Sequence, residues 1–164
     1  MTRINLVCVT ELTDQHVMAE YREIKMVPHS LARSMVARPE REVLARIPPA
    51  FTLNTGHVSF FYDKMQYLAQ RHQELFLELG ERGFSLDVSA YHDNAALFDG
   101  YMYTQFWGDY NPTRESLRII RARIAEKIAM KPGWYRYMGI PLTDELCIYN
   151  MVREENERHP SDVL

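Results

Sequence analysis

Between residues 58 and 82 the apolar side chains Phe61, Met65, Leu68, Leu75 and Leu79 recur at steps of four, three, seven and four. A strand places every second side chain on one face, whereas a helix returns to the same face after three or four residues. The spacing therefore predicts one long helix from about Val58 to Arg82, with Gly83 as its stop. A helix with so continuous an apolar stripe has to be covered by other elements.

Two further segments carry the same period. Val17, Tyr21 and Ile24 predict a helix that Thr13 or Asp14 can cap. Gln15, His16, Arg22 and Glu23 share the face opposite this stripe. Pro28 is expected to end or kink that helix, because it lacks an N–H, with a second piece over roughly Ser30 to Ala37. Leu117, Ile120, Ile124 and Ile128 predict a third helix, opened by Asn111 as cap and Pro112 at its first position and closed by Lys131-Pro132-Gly133. Residues 46–56, with Pro48, Pro49 and Gly56, read as a loop. Residues 84–110 lack a period and read as a long aromatic-rich connection with one short helix. Thr143 to about Glu157 fits a short amphipathic helix. The best strand candidate, Asn5 to Val9, is short. The expected fold is all-α, a single compact domain of three main helices with long connecting loops.

At 164 residues and 46% hydrophobic content the chain can bury a core without disulfides. No apolar run reaches the length of a membrane span, so no membrane partner is expected. The first residues lack the pattern of a secretory signal. Cys8 and Cys147 are far apart and match no metal or redox spacing, which fits reduced thiols and a cytoplasmic location. The scattered histidines pair at no ligand spacing, and no phosphate loop, GxGxxG or HExxH is present, so neither a metal nor another cofactor is expected.

The net charge of −3 speaks against a nucleic-acid partner only until it is divided. Residues 111–139 hold seven basic and two acidic side chains, +5, and the remainder of the chain is −8. Residues 140–164 alone supply −4, leaving +1 for residues 1–139. In the basic helix Arg123 and Lys127 lie on one flank of the apolar stripe, and Arg114, Arg118 and Arg121 on the other. The stretch Trp134-Tyr135-Arg136-Tyr137 follows. Cations that neutralise phosphates beside flat rings that stack on bases suit a nucleic acid, although a solvated helix face beside a core aromatic cluster gives the same pattern. Arg22 and Glu23 beside Gln15 and His16 offer a carboxylate among cations, able to act as an acid, a base or an electrostatic stabiliser, or else a surface salt-bridge pattern. Thr2 is small, so removal of Met1 is expected. The exposed α-amine would titrate near 7.7–8.0 and keep a usable neutral, nucleophilic fraction at physiological pH.

Several strings, taken in order, carry a family resemblance. They are Met1-Thr-Arg-Ile-Asn-Leu6, Glu11-Leu-Thr-Asp-Gln-His16, Met18-Ala-Glu-Tyr-Arg-Glu23, Gly56-His-Val-Ser-Phe-Phe-Tyr-Asp-Lys64, Arg82-Gly-Phe84, Gly108-Asp-Tyr110, Ala122-Arg123, Glu126-Lys-Ile-Ala129 and Pro132-Gly-Trp-Tyr-Arg-Tyr137. Over residues 1–139 the chain resembles the bacteriophage T4 endonuclease V family, pyrimidine-dimer DNA glycosylases with AP-lyase activity. The resemblance implies a repair domain over residues 1–139, followed by an acidic C-terminal extension over residues 140–164. It implies that the amine of Thr2 attacks the sugar C1′ of a damaged nucleotide and forms a Schiff base. Glu23 would be the carboxylate that handles the sugar and the proton transfers of β-elimination. Arg3, Gln15, His16 and Arg22 match positions that hold the lesion strand, Arg123 and Lys127 match phosphate-binding positions, and Trp134, Tyr135 and Tyr137 match the aromatic segment associated with lesion binding. The implied partner is double-stranded DNA containing a base lesion, engaged by a monomer without cofactor or metal.

The chain also departs from that pattern. Met26 stands where the family has an arginine, and Lys25 where the phage protein has proline. Residues 87–107 are longer and more aromatic. The same chemistry on another modified pyrimidine, or a non-catalytic DNA-binding module, are therefore the alternative readings.

Overall fold

The computed structural model describes residues 4–143 and is mostly helical. A 3-10 turn at Val9–Glu11 precedes α1 (Asp14–Glu23), α2 (Met26–Ala37), α3 (Glu40–Ala45), α4 (His57–Phe60), α5 (Met65–Glu81), α6 (Val88–Asp99) and α7 (Arg114–Ala129). A two-residue antiparallel ladder, β1 (Arg136–Tyr137) and β2 (Ile140–Pro141), follows α7. The helix anticipated from Thr143 onward lies, beyond that first residue, outside the described residues. Among the described residues no helix is long and apolar enough to cross a membrane.

The apolar stripe behaves as its spacing requires, but the helix under it is broken. Phe61, Met65, Leu68, Leu75 and Leu79 are all fully buried. The chain nevertheless leaves α4 at Phe61 and restarts as α5 at Met65. The loop before α7 causes the break. The Phe106 carbonyl accepts from Met65 N–H, and the Gly108 carbonyl accepts from Tyr67 N–H, so a distant loop satisfies amides that open α5. Lys64 fills the gap by donating to the Phe60 carbonyl and pairing with Asp63. Gly108 is required there, because a Cβ at that position would meet the Asp63 carbonyl oxygen. At its far end α5 stops as expected. Phe84 N–H returns to the Leu79 carbonyl and Gly83 N–H to the Gly80 carbonyl, the paired closure of a left-handed helix end.

The seven-residue step in the stripe has its own content. Between Leu68 and Leu75 the inward positions are Arg71 and His72, both buried. Arg71 donates to both carboxylate oxygens of Glu20 on α1, at 2.8 and 3.2 Å, and to the Val7 carbonyl. Asn5 Nδ2 donates to the same carboxylate at 2.7 Å. Burial pushes the Arg71 guanidinium down, but the attraction and hydrogen bonds of Glu20 outweigh it, so its pKa stands above the usual value. His72 lies in a three-ring stack between Tyr21 of α1 and Tyr91 of α6, with centroids at 5.3 and 5.0 Å. Its Nε2 is buried without a partner, and burial, with the nearby Lys25, lowers its pKa to about 4.

Other boundaries shift for local reasons. The break expected near Pro28 is present but lies a few residues earlier: α1 ends at Glu23, the chain turns before Met26, and Pro28 is buried in the first turn of α2, where an N–H would have no helical acceptor. Thr113, not Asn111, caps α7, its side chain accepting from Ser116 N–H. Thr13 caps α1 as expected, accepting from His16 N–H. The Asn5–Val9 segment is not a strand. Arg71 and Glu20 take its polar groups, and Leu6 has φ +50°. The short ladder arises instead at residues 136–141, where Met138 and Gly139 have φ of +51° and +79°, the backbone of a tight two-residue hairpin turn. Its strands lie on both sides of the boundary expected after residue 139, and Leu142 is buried in the core.

Two stability outcomes follow. Arg71→Ala leaves the Glu20 carboxylate buried and uncompensated, with an expected loss of about 3–5 kcal/mol in urea unfolding, while replacing both partners by apolar residues restores most of it. The folded pKa of His72, about 4, lies below its unfolded value of about 6.5, so the unfolded chain binds more protons in that window. Stability from this group is complete above about pH 6.5 and is lost as pH falls toward 4, by on the order of 1–3 kcal/mol, and His72→Phe should flatten that part of the acid limb.

Candidate functional site

α1, the N-terminal segment and the end of α7 enclose a cleft of about 340 Å³ lined by Asn5, His16, Ala19, Glu20, Glu23, Lys127, Met130, Lys131 and Tyr135. Glu23 is the last residue of α1, and Lys127 lies in the last turn of α7. The carboxylate and the cations thus come from different helices. The cleft holds an acidic group beside two lysines, with Glu20 already engaged by Arg71 below it.

One wall is aromatic. The His16 and Tyr135 rings stack at 4.8 Å with an interplanar angle of 4°. His16 Nδ1 is 2.7 Å from the Thr13 hydroxyl, which fixes the imidazole at the start of α1. Trp134 meets Tyr135 edge-on at 4.8 Å and remains 52% exposed, with the Lys131 ammonium 4.9 Å from its ring centroid. This presents a flat, open ring beside a cation at the cleft mouth.

The wall is held by residues of α1. Gln15 donates to the Trp134 carbonyl and accepts from Arg136 N–H, both at 2.9 Å, as an added strand would. Asp14 accepts from the turn amides of Met138 and Gly139 at 3.1 and 2.8 Å and from Arg82 at 2.9 Å. Arg82 also donates to Glu78 and to the Leu12 and Val9 carbonyls. Tyr137 donates to the Thr10 carbonyl at 2.8 Å, and its ring centroid lies 5.0 Å from the Arg82 guanidinium.

The residues singled out in the sequence therefore separate. His16, Glu23, Lys127 and Tyr135 meet in the cleft. Gln15 and Tyr137 fasten the hairpin, and Trp134 stands at the mouth. Arg22 is exposed and outside the cleft lining. Arg123 pairs with Glu126 and lines a second hollow of about 480 Å³ with Leu53, Asn54, Ile119 and Ala122. Arg121, on the opposite flank, pairs with Glu11. Thr2 and Arg3 lie outside the described residues. Asn5 and Lys131 were missed. Lys131 carries a signal, four residues after Lys127 in a basic run, whereas nothing around Asn5 marks it.

Compared with known families, residues 1–92 match the family model described as pyrimidine dimer DNA glycosylase. The matched stretch contains Asp14, Gln15, His16, Glu20, Glu23, Arg71 and Arg82.

Because Gln15 supplies both a donor and an acceptor to the backbone at 134–136, Gln15→Ala should loosen the hairpin without unfolding the helices. Amide exchange at Arg136 is expected to accelerate about tenfold or more while exchange in α5 stays unchanged.

Proposed function

The chain belongs to the pyrimidine dimer DNA glycosylase family, and we propose that it excises a damaged pyrimidine from duplex DNA and cleaves the strand there through its N-terminal amine. The observation that carries this reading is the cleft, whose lining brings Glu23, Lys127 and Lys131 together with the stacked His16–Tyr135 wall and Asn5 of the N-terminal segment. Thr2 precedes Asn5, a residue of that lining, by three positions in the sequence, and this short separation supports the reading.

The chemistry balances without an added cofactor. The neutral amine of Thr2 attacks C1′, and the new C1′–N bond forms as the glycosidic bond breaks. The base leaves with the bonding electrons and takes up a proton. Loss of the amine proton and opening of the sugar give an imine. Removal of a C2′ proton then expels the 3′ phosphate oxygen, and water releases the amine. Glu23 is the group suited to hold the sugar and move these protons, since a positioned carboxylate contributes about 10²–10⁴-fold to such transfers. A covalent imine divides one difficult cleavage into two easier steps. Lys127 and Lys131 suit flanking phosphates, and Trp134 offers a stacking surface where a duplex is kinked or a base extruded. Arg22 and Arg123, outside the cleft lining, extend the proposed contact along the strand, and Arg3 is assigned to the same contact on the resemblance alone.

A second reading keeps this apparatus and changes the base. Met26, three residues beyond Glu23 at the start of α2, is 42% exposed, so an apolar side chain stands where the family resemblance implies a cation. That favours a less charged contact with the lesion, as on another modified pyrimidine.

Borohydride trapping tests the chemistry. The processed protein should form a covalent adduct with an abasic or dimer-containing duplex, whereas retaining Met1 or blocking the amine should abolish it. Glu23→Gln should bind DNA normally but lose base release by about 10²-fold or more. A normal rate in either variant refutes the corresponding role. A panel of single-lesion duplexes separates the two substrates.

A further inference from the structure

One buried polar atom of the cleft lining has no partner among the described residues. Asn5 lines the cleft and is 3% exposed. Its Nδ2 donates to Glu20 at 2.7 Å, and its Oδ1 is buried without a hydrogen bond. Glu20 decides which way round the amide sits. Its carboxylate pairs with Arg71 and only accepts, so the amide gives it the NH2 edge and turns the oxygen away. A buried acceptor in this state is costly, and folded proteins keep few of them. The other two among the described residues, Tyr67 Oη and His72 Nε2, belong to side chains outside the cleft lining.

The two sides of the cleft differ in chemistry. The N-terminal segment and α1 contribute acceptors, the Asn5 oxygen and the Glu23 carboxylate, whereas α7 and the residue just past it contribute the Lys127 and Lys131 ammonium groups. A ligand that satisfies both sides carries anionic oxygens for the lysines and a hydrogen-bond donor for Asn5. The sugar of an intact DNA nucleotide has no such donor. It lacks a 2′ hydroxyl, its 3′ and 5′ oxygens are esterified, and O4′ is a ring ether. Base loss changes this. A base-free sugar bears a hydroxyl at C1′. When the ring opens to the imine, the C1′–O4′ bond breaks as the C1′–N double bond forms, and O4′ takes up a proton. Each of these species offers a hydroxyl that intact DNA lacks.

We infer that Asn5 Oδ1 accepts from the sugar hydroxyl created by base loss and ring opening, which makes Asn5 a specificity residue for the base-free sugar rather than for the damaged base. The inference rests on the base release and imine chemistry proposed above. Its energetic logic is differential binding. The oxygen gains a partner in the base-free sugar and none in that of intact DNA, so it draws the reaction forward instead of holding the substrate. Glu20 and Arg71 orient the amide before anything binds, so the contact needs no reorganisation of its own.

Two base-free duplexes that cannot form an imine isolate this contact. A reduced abasic site is an open chain with hydroxyls at C1′ and C4′, and a tetrahydrofuran site is a closed ring with neither. Both lack the base at that site, so no N–H of a damaged base contributes. In fluorescence anisotropy at one salt concentration, the unaltered protein should bind the reduced site about fivefold or more tighter than the tetrahydrofuran site. In Asn5→Ala, and in Asn5→Leu, which keeps the volume, that ratio should fall below about twofold while the helical circular dichroism is retained. The ratio in the unaltered protein needs no variant, so the role stays refutable even where a variant fails to fold. Equal binding of the two duplexes by the unaltered protein overturns the inference, and so does a preference that persists in a folded Asn5 variant. If the unaltered protein traps no borohydride adduct on a natural abasic duplex, the imine chemistry falls and this role with it. A normal adduct without any preference between the two probes overturns the role of Asn5 alone.

Discussion

The ion pair between Glu20 and Arg71 organises the rest of the molecule. Neither side chain is open to water, and each leaves few of its hydrogen-bonding groups unmet: Arg71 reaches the carboxylate twice and Val7 once, and the carboxylate takes Asn5 besides. The pair joins α1, α5 and the N-terminal segment at one point. A buried pair of this kind is weak evidence for net stability, because the cost of removing two charges from water offsets much of their attraction. What it does specify is register. An apolar replacement would let α1 slide or rotate on α5, whereas two nitrogen-to-carboxylate bonds with a third partner fix both. Glu23 lies three residues beyond Glu20 on α1, so fixing Glu20 fixes the side on which Glu23 emerges.

Polar contacts also define where elements stop. The helix anticipated over residues 58–82 is divided because loop carbonyls from residues 106 and 108 occupy the amides at its middle. The hairpin exists because Asp14 and Gln15 complete its backbone bonding. In each case a segment far away in sequence decides the local geometry.

That accounts for what could be read in advance. The α5 stripe, the Thr13 cap, the Gly83 stop and the Ile120–Ile124–Ile128 face depend on neighbours within a few residues, and they were legible. The division at Phe61–Lys64 depends on Gly108, the true cap of α7 on a choice between adjacent polar residues, and the hairpin on a left-handed Met138, and none of these has a local signature. Arg71 and His72 stood in the longest step of the stripe, where a charged residue reads as solvent-facing. Their burial follows only once Glu20 and the Tyr21–Tyr91 stack are in place. In the candidate site, His16 and Glu23 were legible as one polar face of a helix and Lys127 and Tyr135 as parts of a basic and aromatic run, and the resemblance supplied their roles. Asn5 was not, since its role comes from where Glu20 points. Gln15 and Tyr137 share the cleft's neighbourhood in sequence terms but are spent on backbone.

The hairpin's attachment bears on how the cleft is assembled. Its fasteners, Asp14, Gln15 and Arg82, are in the early part of the chain, and the piece they grip begins at Trp134. In the order of synthesis the acidic group and the ion pair's residues therefore come well before the wall, and the His16 side has its ring partner only once Tyr135 has been made. The aromatic wall and the carboxylate share one support: α1 grips residues 134–139 through Asp14 and Gln15 at its start and carries Glu23 at its end, so the wall is set by the same helix that sets the acidic group.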